Sequence, residues 1–561
     1  MKAVNWLLLS GRSLLLASGV VGLAGDVAGE IIPQDRRITW DAGVAGGIPN
    51  RTTIYTNLPT SVTVSDINNA ISRCPSNQVV LLSAGSYTLS GQLVMSRSHV
   101  TLRGAGPTKT TLRFTNTSPW GLVYFIGGGY QEPPPYIRDW TAGYAKGATT
   151  ITLSSVASLA VGDLICLDQL SDYNLVNPYG NEGLCDYCAG SRLNGDRGQE
   201  QYVTVTGISG NNVSISKPLY LDNWSSSLNP QVFYYGNSVK FSGIEDLKID
   251  NSGASGDYNV NMYNAQNCWV KGIESAIARI AHIKTLHCAR IEVRDSYLHE
   301  TKNYASESYG IAAYNVSDLL AENNIMFTVT TPLQLTACSG SVFAYNYMTN
   351  LRYDVSSSWL VGGIIGHGVH TYMNLIEGNV TPSIYFDFIH GSGSHNTIFR
   401  NRSAGWETNR TSNTFPIALE ATNRYFNIVG NVLGKAGYHN LFEAVNIDGY
   451  GGDKAIYLLG YFDTSHSLTR YDLAVSTTIL RHGNYDYVTR LTQWNPTILD
   501  LNIPNSLYLS GKPIWWDSSP WPPIGPDVPG MVSPLPAQNR FAAIMTGLPK
   551  PAPPSNLRVI P

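Results

Sequence analysis

Charge is scarce in this chain of 561 residues, since only 14% of them are Asp, Glu, Lys or Arg. Lys and Arg number 37 and Asp and Glu 40, so the formal net charge is −3. So small an excess gives no electrostatic basis for binding nucleic acid or an anionic membrane surface. Glycine, with 53 residues, and tyrosine, with 33, are abundant instead, which is typical of β-rich proteins with many turns.

Long apolar runs are confined to the N-terminus. Lys2 precedes apolar runs at residues 6–9 and 14–17, and small residues follow at 22–25. This order predicts a secretory signal peptide over residues 1–28, with an uncleaved anchor as the alternative. No other stretch reaches the roughly 18 apolar residues that a spanning helix needs. We therefore expect a secreted or cell-surface protein with no membrane span in the mature chain.

Cysteine is also scarce, with seven residues, an odd number. At least one thiol of an exported chain is therefore unpaired or bonded to another chain. Cys185 and Cys188 form a Cys-x-x-Cys motif in a loop. Because a second ligand pair at zinc spacing is missing, a local disulfide or structural knuckle is favoured over a metal or redox site.

Short apolar runs separated by Gly and Ser follow a segment with helical spacing at residues 64–71. These runs predict strands at 78–82, 86–89, 92–95 and 99–102. The order of a short helix, then VVLLSAGSYTLSGQLVM, then HVTLRGAGPTKTTLRF resembles the opening of pectate-lyase-superfamily proteins. The resemblance implies an all-β, right-handed parallel β-helix of the pectin-lyase-like class with an N-terminal capping helix.

An apolar residue followed three positions later by Asn recurs in the middle of the chain. Successive pairs are separated by 23, 33, 22 and 30 residues, and the shorter separations match one β-helix coil. Asn tolerates the left-handed backbone of a tight turn and can donate its amide to the next coil, so we expect a ladder of Asn side chains. The pairs are Leu320 with Asn323, Phe343 with Asn346, Ile376 with Asn379, Ile398 with Asn401, and Ile428 with Asn431.

Two segments depart from this repeat. Alternating strands joined by Gly predict a small antiparallel β insertion, whose loop from Asp168 to Glu200 is either solvated or a site for calcium or sugar. The sequence identifies no cofactor, and calcium is the candidate that we consider.

The Pro- and Trp-rich C-terminus is expected to cap the open end of the coil. The predicted domains are 29–139 with the N-terminal cap and first coils, the insertion 140–235, the central coils 236–445, and 446–561 with the last coils and C-terminal cap.

The densest polar cluster lies in the consecutive segments 366–370 and 387–395. Counted back from the turn Asn, His390 and Glu420 both lie eleven positions earlier, and Gln334 and His367 twelve. A β-bulge would bring these four into one column. The candidate residues are Asp387, His390, Glu420 and His367 for catalysis and Gln334, His370, His395, Arg400 and Arg424 for substrate binding.

Such a column supplies a proton donor and acceptor to a bound polymer. Our leading hypothesis is a secreted protein that cleaves an extended polysaccharide, in which uronates are an option, by elimination or hydrolysis. Hydrolysis would use the carboxylates of Asp387 and Glu420. Elimination would instead use His367, His390 or Arg400 to remove a proton from a uronate, and calcium or another cation would neutralise the carboxylate of that uronate.

The catalytic signatures of the superfamily do not transfer to this chain. Of the four motifs of polygalacturonase-like hydrolases only Gly366-His367-Gly368 is present, and the Arg-Pro motif of calcium-dependent pectate lyases has no clear equivalent. Fold alone does not establish function. The alternative is therefore a non-catalytic extracellular adhesin, surface coat or assembly protein, in which the polar column is a packed structural ladder.

Overall fold

Most of the chain winds through three sheets, contributing a strand to each sheet in every coil. The computed structural model describes residues 31–128, 134–185, 188, 192, 196–444, 453–462 and 471–547. Successive coils pair in parallel, as when Ile376 lies between Phe343 and Ile398. The predicted parallel β-helix is thus confirmed. The predicted signal peptide lies outside the described residues.

The strands of each sheet stack one above another along the coil axis. The first sheet contains, in stacking order, Ile54–Leu58, Gln78–Leu82, Val100–Arg103, Gly243–Glu245, Trp269–Lys271, Glu292–Arg294, Leu320–Glu322, Val342–Ala344, Leu375–Glu377, Thr397–Phe399, Asn427–Val429 and Leu480–His482. The second sheet contains, in the same order, Gly85–Ser90, Thr110–Asn116, Lys248–Asp250, Glu274–Ala278, Tyr297–Thr301, Ile325–Phe327, Tyr347–Thr349, Val380–Thr381, Arg402–Ser403, Val432–Leu433, Asn484–Asp486 and Thr492–Gln493.

The third sheet carries the residues of greatest functional interest. Its main path contains Leu93–Met95, Val123–Ile126, Tyr258–Tyr263, Ala281–Leu286, Tyr309–Ser317, Thr331–Ser339, Ile364–Gly366, Ile384–Phe386, Ile417–Leu419, Ala455–Leu459 and Leu441–Ala444. Three short strands pair beside this path, namely Val239–Lys240, Ala265–Gln266 and Cys288–Ala289.

The described helices lie outside the sheets. Helix α1 covers Val64–Arg73, α2 covers Leu473–Thr478 and α3 covers Pro536–Thr546, and 3-10 turns occupy Gln34–Arg36 and Ser226–Leu228. Thr63 and Asp66 form a capping box that starts α1, and Ile67 and Ile71 bury its apolar face. Within the described part of the chain, no helix is both long and apolar enough to cross a membrane.

Aliphatic side chains stack inside the coil, because each strand places an aliphatic residue at the same inward position as the strand one coil earlier. In the third sheet this inward column is fully buried, and each member contributes about 1.5–3 kcal/mol through burial of its side chain. Residues on either side of it in the same strands point outward. The column comprises Val260, Ile283, Ile311, Leu333, Ile364, Ile384 and Ile417.

A ladder of buried Asn side chains marks the turn between the first and second sheets. The backbone N and Nδ2 of Asn379 both donate to Oδ1 of Asn401 at 3.0 Å, and Asn401 donates in the same way to Asn431. The expected ladder is present, but Asn324 stacks on Asn346 where Asn323 was expected. The reason is that Phe343 pairs with Ala321, which moves the register by one position.

The insertion is antiparallel, as its alternating pattern predicted, and its six strands close into a barrel. Its strands are Tyr136–Ala142, Thr150–Leu153, Leu164–Gln169, Gln199–Ser209, Asn212–Ile215 and Gln231–Tyr234, and a separate hairpin pairs Tyr179–Gly180 with Gly183–Leu184. Cys185 and Cys188 form a disulfide, and the other five cysteines are buried free thiols.

The Pro- and Trp-rich C-terminal segment lies along the outer face of the first sheet, a position that the sequence did not indicate. Trp516, Ile524 and Leu535 pack there with Tyr345 and Phe399. This segment covers the first sheet, whereas strand Gln199–Ser209 of the insertion packs against the third sheet.

Candidate active site

His367, Asp387 and Glu420 each directly follow a strand of the third sheet. Gly366 pairs with Phe386 and Phe386 with Leu419, so the next residue of each strand falls in one outward column. Gln334 pairs with Ile365 and lies in the adjacent outward column. The predicted column therefore contains Asp387 where His390 was expected, because the loops between the strands and the turn Asn differ in length.

His367 and Asp387 form a hydrogen-bonded pair across neighbouring coils. Nδ1 of His367 is 2.6 Å from Oδ2 of Asp387, and Oδ1 of Asp387 accepts a 3.1 Å hydrogen bond from the amide of Ile389. Asp387 is buried, whereas the His367 side chain is 21% exposed. Because Nδ1 is engaged, Nε2 is the nitrogen that can exchange a proton with a ligand.

His390 lies three residues beyond Asp387 and faces His367 with its ring perpendicular at 4.7 Å between centroids. Its Nε2 is 3.5 Å from Oε2 of Glu182, a residue of the insertion. The amide of Glu182 donates to the carbonyl of Ile389, which fixes the hairpin against the third sheet. Two imidazoles, each beside a carboxylate, are thus brought together. Sequence reasoning missed Glu182 because nothing in the repeat pattern links the insertion to this coil.

The two imidazoles have pKa values displaced in opposite directions. Burial lowers the pKa of His367, but the charge and hydrogen bond of Asp387, helped by Glu182, outweigh burial and raise it above 6.5. Burial lowers the pKa of His390 below 6.5, and repulsion from His367 adds to this effect against the attraction of Asp387 and Glu182. One ring is therefore suited to donate a proton and the other to accept one.

Glu420 lies beneath the loop that carries His390. Its carboxylate accepts a 2.7 Å hydrogen bond from the amide of Phe388 and a short one from the hydroxyl of Tyr385. Only 1% of Glu420 is exposed. Of the expected carboxylate pair, Asp387 is among the residues that line the cavity described below, whereas Glu420 is held by Tyr385 and Phe388 and is not.

A cavity of about 430 Å³ opens beside His367 on the outer face of the third sheet. Residues 305–309 and 353–362 form its walls, and Gln334, which accepts a 2.8 Å hydrogen bond from Tyr314, lies in its floor. Trp359, Tyr353 and Tyr385 add aromatic surface that sequence reasoning did not single out. The described lining residues include no Lys or Arg. The ionisable residues of the lining are Glu307, Tyr309, Tyr353, His367, Tyr385 and Asp387.

Three further candidates, expected to bind substrate, lie instead at the turn between the third and first sheets. His370 is fully buried and its Nε2 is 2.7 Å from Oγ of Ser394. His395 stacks on Tyr425, and burial lowers the pKa of both His370 and His395 to about 3. Arg424 is paired with Asp472 at 2.8 Å. The structure gives these residues packing roles away from the cavity.

Arg400, the remaining substrate-binding candidate, is also placed elsewhere. Its guanidinium is 1% exposed and forms a two-pronged ion pair with Asp527 at 2.7 and 2.8 Å. It also donates to the carbonyls of Ile503, Pro504 and Ile524. Arg400 therefore joins the C-terminal segment to the first sheet and offers no surface to a substrate.

The substitution Arg400→Met is expected to lower the free energy of unfolding by about 3 kcal/mol, because several buried hydrogen-bond acceptors lose a charged donor. Thermal unfolding followed by circular dichroism measures this loss. Arg113→Met is the matched control, since Arg113 forms an exposed 3.8 Å pair on the second sheet. A stable Arg400→Met protein with altered ligand affinity would contradict the structural role.

In the described part of the loop considered for calcium, Asp168 is paired with two arginines. Asp168 is fully buried and receives two hydrogen bonds from Arg197, at 2.8 and 3.1 Å, with Arg192 at 3.4 Å. Its negative charge is therefore balanced by arginines. Among the described residues no group of three or more His, Cys, Asp or Glu side chains is arranged to hold a metal ion.

Comparisons with known proteins identify distant structural neighbours only. No family model and no curated protein matches the sequence. The tailspike gp61 of Pseudomonas phage phi297 is 13% identical, with a TM-score of 0.48 over 75% of this chain and 68% of that one. The gp54 tailspike of Acinetobacter baumannii bacteriophage AP22, in complex with capsular saccharide, is 12% identical over 76% and 67%, with a TM-score of 0.43.

A mannuronic acid specific polysaccharide family 6 lyase from human gut microbiota is 11% identical, with a TM-score of 0.34 over 77% of this chain and 91% of that one. The fold of this chain is established by its own strand pairing.

Proposed function

We propose that this protein is a secreted or surface-exposed enzyme that cleaves an extended glycan by hydrolysis at the cavity of the third sheet. The observation that carries the proposal is a pair of neighbouring imidazoles whose pKa values are displaced in opposite directions, namely His367, which lines that cavity, and His390, whose ring contacts His367. Structural polar ladders pair like with like in the interior, whereas these rings are partly exposed.

The surface around the pair suits a polymer. Outward columns of the third sheet continue the cavity along the coil axis, so a chain can lie across several coils. Tyr and Trp side chains provide apolar faces for sugar rings and hydroxyls for hydrogen bonds. The cavity holds a few monosaccharides while the rest of the polymer extends along the sheet.

We propose an acid–base reaction in which each imidazole has one role. Protonated His367, held by Asp387, donates its Nε2 proton to the glycosidic oxygen as the C–O bond breaks. Neutral His390, oriented by Glu182, removes a proton from water as the water oxygen bonds to the anomeric carbon. The products are two shorter glycans, and one water molecule is consumed.

Hydrolysis is favoured over elimination by the character of the lining residues. Elimination from a uronate is assisted by a positive charge beside the sugar carboxylate, and no Lys or Arg is among the described residues that line the cavity. The described residues around the cavity present carboxylates, amides, hydroxyls and the imidazole of His367. Such a lining complements the hydroxyls of a neutral sugar.

The proposal is tested by incubating the purified protein with neutral and uronate-containing polysaccharides. Reducing ends report hydrolysis or elimination, and absorbance of unsaturated uronates reports elimination alone. The expected result is new reducing ends without that absorbance. Binding to a glycan with neither signal across a broad panel would contradict the enzyme and support a non-catalytic adhesin or surface protein.

The rate of cleavage is expected to show a bell-shaped pH dependence. It falls below the lowered pKa of His390, where the base becomes protonated, and above the raised pKa of His367, where the acid loses its proton. In Asp387→Asn the pKa of His367 falls, so the alkaline limb moves to lower pH. Profiles of kcat/KM measure this shift, with Asp250→Asn on the second sheet as the control. If the alkaline limb does not move, it reports the titration of a group other than His367.

A further inference from the structure

Beyond the reacting centre, the outer face of the third sheet carries a lysine in line with the cavity. Lys284 pairs with Ala312, Ala312 with Gln334, and Gln334 with Ile365, so one outward column leads from Lys284 to the floor of the cavity. Three coils separate Lys284 from the strand that precedes His367, which is about 14 Å at roughly 4.8 Å per coil.

The ammonium of Lys284 is held between two aromatic rings. Its Nζ lies 4.6 Å from the centre of the Tyr258 ring and 5.5 Å from that of Tyr314, and it donates a 3.0 Å hydrogen bond to the hydroxyl of Tyr258. Such contacts fix a cation without removing its charge. All three side chains are half-buried and therefore still reach the surface.

A continuous set of contacts connects this lysine with the cavity. Tyr314 packs on Lys284 and donates to Oε1 of Gln334 at 2.8 Å, and Gln334 lines the cavity. Tyr309, another lining residue, also interacts with Tyr314 and Gln334. A glycan chain bound at His367 and lying along the coil axis would pass over these residues and reach Lys284.

We infer that Lys284, between Tyr258 and Tyr314, forms a subsite for an anionic substituent of the glycan, three coils from a reacting centre that takes a neutral sugar. The inference depends on the proposed function for the direction of the bound chain. A polymer with an acid on every sugar would place a carboxylate beside Asp387 and Glu307, whereas one acid within a repeat of neutral sugars matches both regions. The substrate class is therefore a heteroglycan with intermittent carboxylates.

The test uses gellan and xanthan, whose repeats contain one uronate among neutral sugars, together with their carboxyl-reduced forms. The expected result is that at least one acidic form binds more tightly than its reduced form, and that Lys284→Met weakens binding of the acidic form about tenfold while leaving the reduced form unchanged. Lys284→Arg is expected to retain most of the preference. Lys248→Met, on the second sheet beside Glu274, is the matched control.

Three results would overturn the subsite. They are equal binding of the acidic and reduced forms by the wild-type protein, no binding of either polymer, and loss of binding to both forms in Lys284→Met. Failure of the Lys284 subsite can be distinguished from failure of the proposed function. Cleavage that depends on His367 but not on Lys284 retains the enzyme and rejects the subsite. Charge-dependent binding at Lys284 without cleavage of any glycan retains the subsite and rejects the enzyme.

Discussion

Replacing His367 with alanine is expected to reduce the rate of glycan cleavage at least 100-fold, since a positioned acid or base contributes about 10²–10⁴-fold. The substitution removes the proton donor and leaves Asp387 without its partner at 2.6 Å. Because buried Asp387 loses its partner, the free energy of unfolding is also expected to fall, and circular dichroism at the assay temperature checks that the variant is folded. Reducing-end assays on the best substrate of the panel measure kcat and KM separately, and the loss should appear in kcat.

His299→Ala provides the matched control for this variant. His299 is also a partly exposed imidazole beside a carboxylate, with Nε2 3.3 Å from Glu274, but it lies on the second sheet. Its replacement should leave cleavage unchanged. Equal losses in both variants would indicate a general effect on the fold, and full activity of His367→Ala would remove this residue from the mechanism.

The substitution with the largest expected effect on stability is Asn401→Ala, at about 4 kcal/mol. Oδ1 of Asn401 accepts two hydrogen bonds from Asn379, and Nδ2 donates to Ile376, Phe399 and Asn431. Asn401 is fully buried, so alanine leaves several polar groups without partners, each costing about 1–3 kcal/mol. Thermal and urea unfolding, followed by circular dichroism, measure the loss.

Asn212→Ala is the corresponding control, because Asn212 is exposed on the barrel and accepts one hydrogen bond from Thr152. Its effect should stay within about 0.5 kcal/mol. A small effect at Asn401 would mean that the ladder contributes little to holding adjacent coils together. Partial unfolding confined to the C-terminal coils would still agree with the ladder, since each coil of a repeat protein contacts its neighbours only.

The coil architecture was predictable because it depends on local rules that recur in every coil. Apolar residues with a following Asn identified the turn at Asn346, Asn379, Asn401 and Asn431. The one misplaced member, Asn323, occupies a left-handed turn position and donates to Asp295. Two adjacent asparagines at 323–324 fit the same pattern, and only strand pairing decides which of them joins the ladder.

The candidate site was predictable in part. The spacing of His367 and His390 and the neighbouring Asp387 brought together three residues that the structure also places in contact. Glu182 and Tyr385 were missed, since the first depends on how the insertion docks and the second on which face of a strand points outward. Arg400 was misassigned because sequence does not reveal that the C-terminal segment covers its side of the coil.

The central claim, that adjacent coils of the third sheet form a glycan-cleaving centre, is tested most directly by a crystal structure of the inactive His367→Ala protein with a bound oligosaccharide. We predict sugar density in the cavity between His390, Asp387 and Trp359, running along the coil axis toward Lys284. Ordered sugar bound only on another face of the coil would contradict the account.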